Sequence, residues 1–132
     1  MTACLDSWAV LAWLDGEEPA VGIVQGALDS GRPTISWVNL VEIEYQVRRQ
    51  HGAQDAEAVL GRLRELVDAE LPGVARMRAV AALKAEHPIA LADCFAIATA
   101  AAKNATLITG DPEILDRADQ IPCAVRDARA SS

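Results

Sequence analysis

The chain has 132 residues, a formal net charge of -7, an apolar fraction of 52% and an aromatic fraction of only 4%. This length fits one domain, and the apolar fraction is that of a globular core, which excludes a disordered chain. The negative charge excludes binding of nucleic acid through a broad positive field, so a polyanionic partner would require a bound cation.

The cysteines and the start of the chain indicate a cytoplasmic protein. Cys4, Cys94 and Cys123 form no CxxC pair and lie among apolar neighbours, which predicts reduced, buried thiols. The apolar start of the chain has no basic leader and is interrupted by Asp6 and Asp15. We therefore expect neither a signal peptide nor a membrane span, and no membrane partner.

In chain order, short apolar runs alternate with segments of helical spacing. The first run is followed at once by Asp6 and Ser7, a predicted N-cap, and Gly52 is expected to end a long helix. The predicted strands cover residues 2–5, 34–37, 70–74, 105–108 and 123–125. The predicted helices cover residues 8–14, 19–28, 39–50, 55–69, 76–86, 91–102 and 112–115. This alternation predicts an α/β fold with a parallel sheet covered on both faces, in one domain over 1–127 and a polar tail at 128–132.

Four acidic residues stand out by their position. Asp6 directly follows the first strand, Asp111 follows the late strand, and Glu42 lies on the first turns of the helix after the second strand. Asp93 lies near the start of the apolar helix 91–102. Ligands of open parallel sheets bind outside the carboxyl ends of the strands, where the strand order reverses. Asp6, Glu42 and Asp111 map to that end, and Asp93 reaches it if its helix begins there.

The surroundings of Asp93 are apolar, and no basic residue is near it in sequence. A carboxylate in such a setting should be protonated, paired or bound to metal. The alternative for Asp6 and Asp93 is a helix N-cap, for Glu42 a solvated helix residue, and for Asp111 an ordinary turn. Each alternative accounts for one acid, but none explains four acids at matching ends of successive elements.

Four short strings carry a resemblance to a known family. They are Leu-Asp-Ser at 5–7, Ser-Trp-Val-Asn-Leu-Val-Glu at 36–42, Ala-Asp-Cys-Phe-Ala-Ile-Ala-Thr-Ala at 92–100 and Leu-Ile-Thr-Gly-Asp at 107–111. In this order they resemble PIN domains, and the chain is similar over nearly its whole length to VapC-type ribonuclease toxins of toxin–antitoxin pairs. Thr109 matches the family's hydroxyl before the last acid. Asn39 departs from the pattern, since the family more often has Thr or Ser there.

The resemblance implies a single three-layer α/β/α domain and a metal-dependent endoribonuclease that inhibits translation or growth. It implies Asp6, Glu42, Asp93 and Asp111 as catalytic residues, with Asp6 and Asp93 binding Mg²⁺ directly and the other two acting through its waters. Mn²⁺ can substitute for Mg²⁺. The ion would activate a water and neutralise charge on the phosphate. The implied partners are RNA, a small antitoxin protein and a second copy of the chain.

Two other functions fit the sequence less well. A phosphatase with a nucleophilic Asp generally has a second Asp two residues later, where Trp8 stands here, and a downstream Lys, for which only Lys103 is available near the late strand. The alternative is a non-catalytic PIN-like module that binds RNA or protein, against which the four acids argue. Trp8, Trp13 and Trp37 lie in apolar contexts and are expected in the core or a dimer interface rather than as base-stacking platforms.

Overall fold

The computed structural model describes residues 2–130, which contain a five-stranded parallel sheet and seven helices. The strands are Ala3–Leu5 (β1), Thr34–Ser36 (β2), Asp68–Glu70 (β3), Thr106–Thr109 (β4) and Val125–Asp127 (β5). The helices are Ser7–Leu14 (α1), Ala20–Ser30 (α2), Trp37–His51 (α3), Ala53–Leu66 (α4), Val74–Glu86 (α5), Leu91–Ala102 (α6) and Pro112–Leu115 (α7).

The sheet has the strand order β3-β2-β1-β4-β5, so the first strand lies at its centre. Cys4 of β1 lies opposite Thr34 of β2 on one side and opposite Leu107 of β4 on the other. Because all neighbouring strands are parallel, their carboxyl ends meet at one edge of the sheet. The order of the strands reverses between β1 and β4, which is where an open sheet forms a crevice.

The sheet is covered on both faces because its side chains alternate between two buried clusters. Leu5, Ile35 and Ile108 pack with α1, α2, α3 and α4 in one cluster. Their strand neighbours Cys4 and Leu107 pack with α5, α6 and α7 in the other. The predicted three-layer α/β/α architecture is therefore confirmed.

The end of α4 was predicted three residues too late, at residue 69, whereas the helix stops at Leu66. The Arg32 guanidinium donates to the backbone carbonyls of Arg64 at 3.2 Å and Val67 at 2.7 Å. This contact satisfies carbonyl groups that the end of a helix leaves without partners. It comes from a residue more than thirty positions earlier, so local helical spacing could not reveal it.

Two edge strands also lie elsewhere than predicted. The strand predicted at 70–74 is Asp68–Glu70, because Pro72 has no N–H group for a strand ladder and α5 begins two residues later. The strand predicted at 123–125 is Val125–Asp127, and its register with β4 places Val125 opposite Leu107. The predicted bounds of α6 and α7 agree with the structure.

The second predicted strand was one residue too long. Trp37 was assigned to it but is the first residue of α3. The Ser36 hydroxyl accepts a hydrogen bond from the Val38 amide at 3.2 Å, which caps the helix at that point.

The remaining sequence predictions concern the core and the tail. All three cysteines are free thiols; Cys4 and Cys94 are buried, as predicted, but Cys123 is only partly buried. The three tryptophans are partly buried against the first apolar cluster.

In the predicted tail, Ala128 is buried and its amide donates to the Thr109 carbonyl at 2.8 Å, while residues 131 and 132 lie outside the described range. None of the helices between residues 2 and 130 is long and apolar enough to cross a membrane.

Candidate metal centre

Acidic side chains converge at the carboxyl ends of β1 and β4. Asp6 directly follows β1, Asp111 lies two residues beyond β4, and Asp93 occupies the first turn of α6. Glu42 approaches from α3. The negative charges of Asp111, Asp6, Glu113 and Glu42 all raise the pKa of Asp93, in this order of strength, after the larger effect of its burial. The four acids predicted from the sequence therefore lie near one another at the reversal of strand order, where an open sheet forms a crevice, and we call this region the cleft.

The tightest group within this cleft includes one acid that the sequence did not reveal. One carboxylate oxygen from each of Asp93, Asp111 and Glu113 lies within 4.8 Å of the others. Asp6 and Glu42 are outside this group, although they lie close enough to act on Asp93 electrostatically. Glu113 is exposed and stands in the first turn of α7, where an acid is ordinary. One sequence signal could have revealed Glu113. It stands two residues after Asp111, directly after the proline that starts α7.

Asp6 is held rigidly under the cleft. It is 2% exposed and caps α1, since its Oδ1 atom accepts from the Ala9 amide at 2.9 Å. Its Oδ2 atom accepts a short hydrogen bond from the Thr109 hydroxyl. Burial raises the pKa of Asp6 to about 7, although the bonds to Thr109 and Ala9 oppose this rise. The N-cap role considered from the sequence is thus real, and it coexists with a place beside the other acids.

Asp93 is 7% exposed, and its Oδ2 atom has no hydrogen-bond partner among the described residues. Burial raises its pKa to about 8, with the neighbouring acids adding to the effect. An unpartnered oxygen on a buried carboxylate is costly unless it takes a proton or a ligand. Asp93 is therefore the residue of the cleft that most needs a cation.

The turn after β4 connects Asp6 to Asp111 and Glu113 through a series of hydrogen bonds. The buried Thr109 hydroxyl, which donates to Asp6, also accepts from the Asp111 amide at 3.0 Å. The Asp111 Oδ1 atom in turn caps α7 by accepting from the Glu113 amide at 3.0 Å. Glu113 reaches back to the residue that precedes α6, since its Oε2 atom accepts from the Ala90 amide at 3.3 Å. One chain of hydrogen bonds thus fixes three of the five acids.

Asn39 links α1, which directly follows Asp6, to α6, which carries Asp93. It is 1% exposed, and its side-chain amide donates to the Ser7 hydroxyl at 3.1 Å and to the Ala92 carbonyl at 3.2 Å. The Ser7 hydroxyl donates to the backbone carbonyl of Asn39 at 3.3 Å. Ser7 follows Asp6 and Ala92 precedes Asp93, so the amide holds together the helices that carry both acids. Asn39 stands where the family more often has Thr or Ser, and its side-chain amide still makes polar contacts at this position.

The composition of the cleft fits a hard cation. None of the salt bridges within residues 2–130 involves any of the five acids. Their ligand atoms are all carboxylate oxygens, which Mg²⁺ and Mn²⁺ prefer and which soft metals do not. The unpartnered oxygen of Asp93 gives such an ion a buried anchor. The residues present therefore fit a divalent magnesium or manganese ion.

Fold and site together define a single α/β domain with a carboxylate-lined cleft at the switch point of a parallel sheet. The sequence model of the PIN domain matches residues 3–120. Because this match spans most of the chain, the protein belongs to the PIN domain family. The resemblance seen in the sequence motifs is thereby confirmed. No curated protein matches the chain.

Solved structures share the fold at low sequence identity. VapBC2 from Rickettsia felis bound to a DNA fragment from its promoter has a TM-score of 0.75 and 19% identity, covering 96% of this chain and 98% of that chain. A toxin–antitoxin complex from Klebsiella pneumoniae has a TM-score of 0.72 and 20% identity, with coverages of 96% and 98%. VapBC-1 from nontypeable Haemophilus influenzae has a TM-score of 0.74 and 19% identity, with coverages of 98% and 100%.

Proposed function

We propose that this protein is the VapC-type toxin of a toxin–antitoxin pair and cuts RNA as a Mg²⁺-dependent endoribonuclease that also accepts Mn²⁺. The observation that carries the proposal is Asp93, a buried carboxylate with an unpartnered oxygen among four other acids. Membership of the PIN domain family supports a nuclease, and the VapBC assemblies with the same fold support the toxin assignment.

In this proposal, Asp93 and Asp6 hold the ion directly. Asp93 offers its unpartnered Oδ2 atom. Each oxygen of Asp6 already accepts one hydrogen bond, but a carboxylate oxygen has a further lone pair for a ligand. Glu42 and Asp111 are only half-buried and would act on water bound to the ion. Glu113 adds a fifth negative charge beside Asp93 and Asp111.

The residues of the cleft then divide the work of hydrolysis. When bound, the ion supplies Lewis-acid activation of the attacking water and neutralises charge that develops on the phosphate. Glu42 and Asp111 accept hydrogen bonds from the attacking water and orient it towards the phosphorus. Thr109 and Asn39 keep the acids at fixed separations, so that little reorganisation is needed during the reaction. The acids also repel RNA phosphates until the ion is bound, which makes cleavage strictly dependent on metal.

The proposal extends to the setting in which the toxin works. The nuclease domain of this proposal covers residues 1–127, and residues 128–132 are a short tail whose first residue, Ala128, still packs against the domain. The protein acts in the cytoplasm as a homodimer. A small antitoxin keeps it inactive by inserting an Arg or Lys side chain into the acidic cleft, where it replaces the cation. Co-expression with the protein encoded beside it should give a complex without ribonuclease activity; an active complex would contradict this part of the proposal.

The test of the proposed function is cleavage of a mixed RNA pool by the purified protein in Mg²⁺, in Mn²⁺ and in EDTA. Asp6→Ala and Asp93→Asn should lose discrete cleavage, while Asp119→Asn, which changes an exposed acid outside the cleft, should cut like the wild type. Cleavage that survives EDTA, or that all variants share, would indicate a contaminating nuclease and would refute the assignment.

The remaining candidate is a non-catalytic PIN-like module that binds RNA or protein. The five clustered acids favour the nuclease, because a binding surface for RNA has no use for so many negative charges. RNA binding without cleavage at any metal concentration would favour the module.

A further inference from the structure

Trp8 and Gly110 form an unusually close contact beside the acids. A Cβ atom added at Gly110 would lie less than 3.0 Å from three carbons of the six-membered ring of Trp8. Gly110 is buried, and Trp8 is half-buried in the first turn of α1. The indole therefore lies directly against the backbone of Gly110, in space that any other residue would fill with its side chain.

This contact explains why the turn contains glycine. The φ angle of Gly110 lies outside the left-handed region, so its backbone conformation alone would admit other residues. What opposes a side chain at this position is the indole of Trp8, a bulky ring that would have to move to admit one. Trp8 and Gly110 are therefore complementary in shape, and a side chain at Gly110 would displace the indole.

The position of the pair links it to the cleft. Trp8 lies two residues after Asp6, and Gly110 stands between Thr109 and Asp111. Thr109 holds Asp6 through its hydroxyl, and Asp111 caps the helix that carries Glu113. A shift of Gly110 would move both neighbours at once. Trp13, in the same helix, packs against the same apolar cluster but donates its indole N–H to Gln25 at 3.0 Å, on a different side.

We propose that Trp8 is a positioning residue of the metal centre: its indole, packed on Gly110, fixes the turn at 109–111 and so the separation of Asp111 from Asp6. The inference rests on the proposed metal-dependent function, because its first test measures the affinity for Mn²⁺. It goes beyond the core or dimer-interface role predicted from the sequence, because an apolar filler would affect stability without affecting the affinity for metal.

The first experiment is titration of Mn²⁺ into the wild type, Trp8→Ala, Trp8→Phe and Trp13→Ala by calorimetry. Loss of a group that orients metal ligands typically costs roughly 10-fold to 100-fold in affinity, and we expect that loss in Trp8→Ala. Trp8→Phe keeps an aromatic ring but lacks the outer indole carbons that contact Gly110, so its affinity should lie between those of the wild type and Trp8→Ala. Trp13→Ala should lose stability but bind Mn²⁺ normally. Normal affinity in a folded Trp8→Ala variant, or an equal loss in Trp13→Ala, would overturn the proposal.

The second experiment tests the contact itself and does not need metal. Gly110→Ala should lower the melting temperature in the wild-type background but have little effect in the Trp8→Ala background, where its Cβ has room. Equal effects in both backgrounds would overturn the proposal. If Trp8→Ala does not fold, the same comparison is made in Trp8→Leu. Absence of Mn²⁺ binding by the wild type would instead refute the proposed function, and with it the positioning role, even if the stability coupling is present.

Discussion

The side-chain amide of Asn39 should be required for both the stability and the metal affinity of the protein. Asn39→Ala removes the two hydrogen bonds to Ser7 and Ala92, each worth about 0.5–1.5 kcal/mol. The substitution also removes the Asn39 Oδ1 atom, a buried acceptor without a partner, which recovers part of this loss. We therefore expect the free energy of unfolding to fall by about 1–2 kcal/mol, which for a chain of this size lowers the melting temperature by about 4–8 °C.

The isosteric variant Asn39→Asp makes the test sharper. Its side chain has the same shape, but an ionised carboxylate cannot donate to the Ala92 carbonyl and adds a negative charge near the acids. Asn39→Asp should therefore be less stable than Asn39→Ala at pH 8, and this difference should shrink at pH 5, where the new carboxyl takes up a proton. Gln50→Ala, an exposed change on the same helix, is the control.

The measurements are thermal unfolding by circular dichroism at the two pH values and Mn²⁺ titration of each variant. Wild-type stability and Mn²⁺ affinity in Asn39→Asp would refute the role given to the amide. Loss of stability with unchanged affinity would show that Asn39 supports the fold but not the metal centre.

Four further predictions concern the acids and the end of α4. Because burial raises the pKa of Asp6 to about 7 and that of Asp93 to about 8, the folded protein binds more protons than the unfolded chain between about pH 4 and pH 8. The metal-free protein should thus lose stability as the pH rises from 5 to 8.5, which urea titrations at several pH values would measure; rising stability would contradict it. Mg²⁺ should raise the melting temperature more at pH 8 than at pH 5.5, since it binds the ionised acids, and a gain independent of pH would be inconsistent with the site. Asp93→Asn should make the metal-free protein more stable at pH 8 while abolishing the gain from Mg²⁺, because it removes a buried charge together with a ligand. Arg32→Ala should lower the free energy of unfolding by about 1–2 kcal/mol through the lost contacts at the end of α4, whereas the exposed Arg62→Ala should not; equal urea midpoints would count against this explanation.

Much of the fold could be predicted because its signals are local. The N-cap at Asp6, the proline that starts α7 and the apolar run of α6 are all visible in short stretches of sequence. The errors have two kinds of cause. The end of α4 depends on a contact with Arg32, which lies more than thirty positions away. The end of β3 before Pro72 and the start of α3 at the Ser36 cap follow instead from residues in or beside those segments.

The residues of the candidate site also divide into those that the sequence indicated and those that depend on distant contacts. The proximity of Asp6, Glu42, Asp93 and Asp111 could be predicted because acids at the ends of parallel strands and at helix starts converge by topology. Glu113 was missed, since its link to the Ala90 amide joins residues 23 positions apart and its own context is an ordinary exposed turn. The role of Gly110 was also invisible, because it depends on the place of the Trp8 indole in three dimensions.

The central claim is that the carboxylates at the switch point form a divalent metal site anchored by Asp93. Calorimetric titration of Mn²⁺ into the wild type, Asp93→Asn and the control Asp119→Asn at pH 8 tests it most directly. We predict saturable binding by the wild type and the control, accompanied by proton release, and none by Asp93→Asn. Equal binding by all three proteins, or binding by none, would contradict the claim.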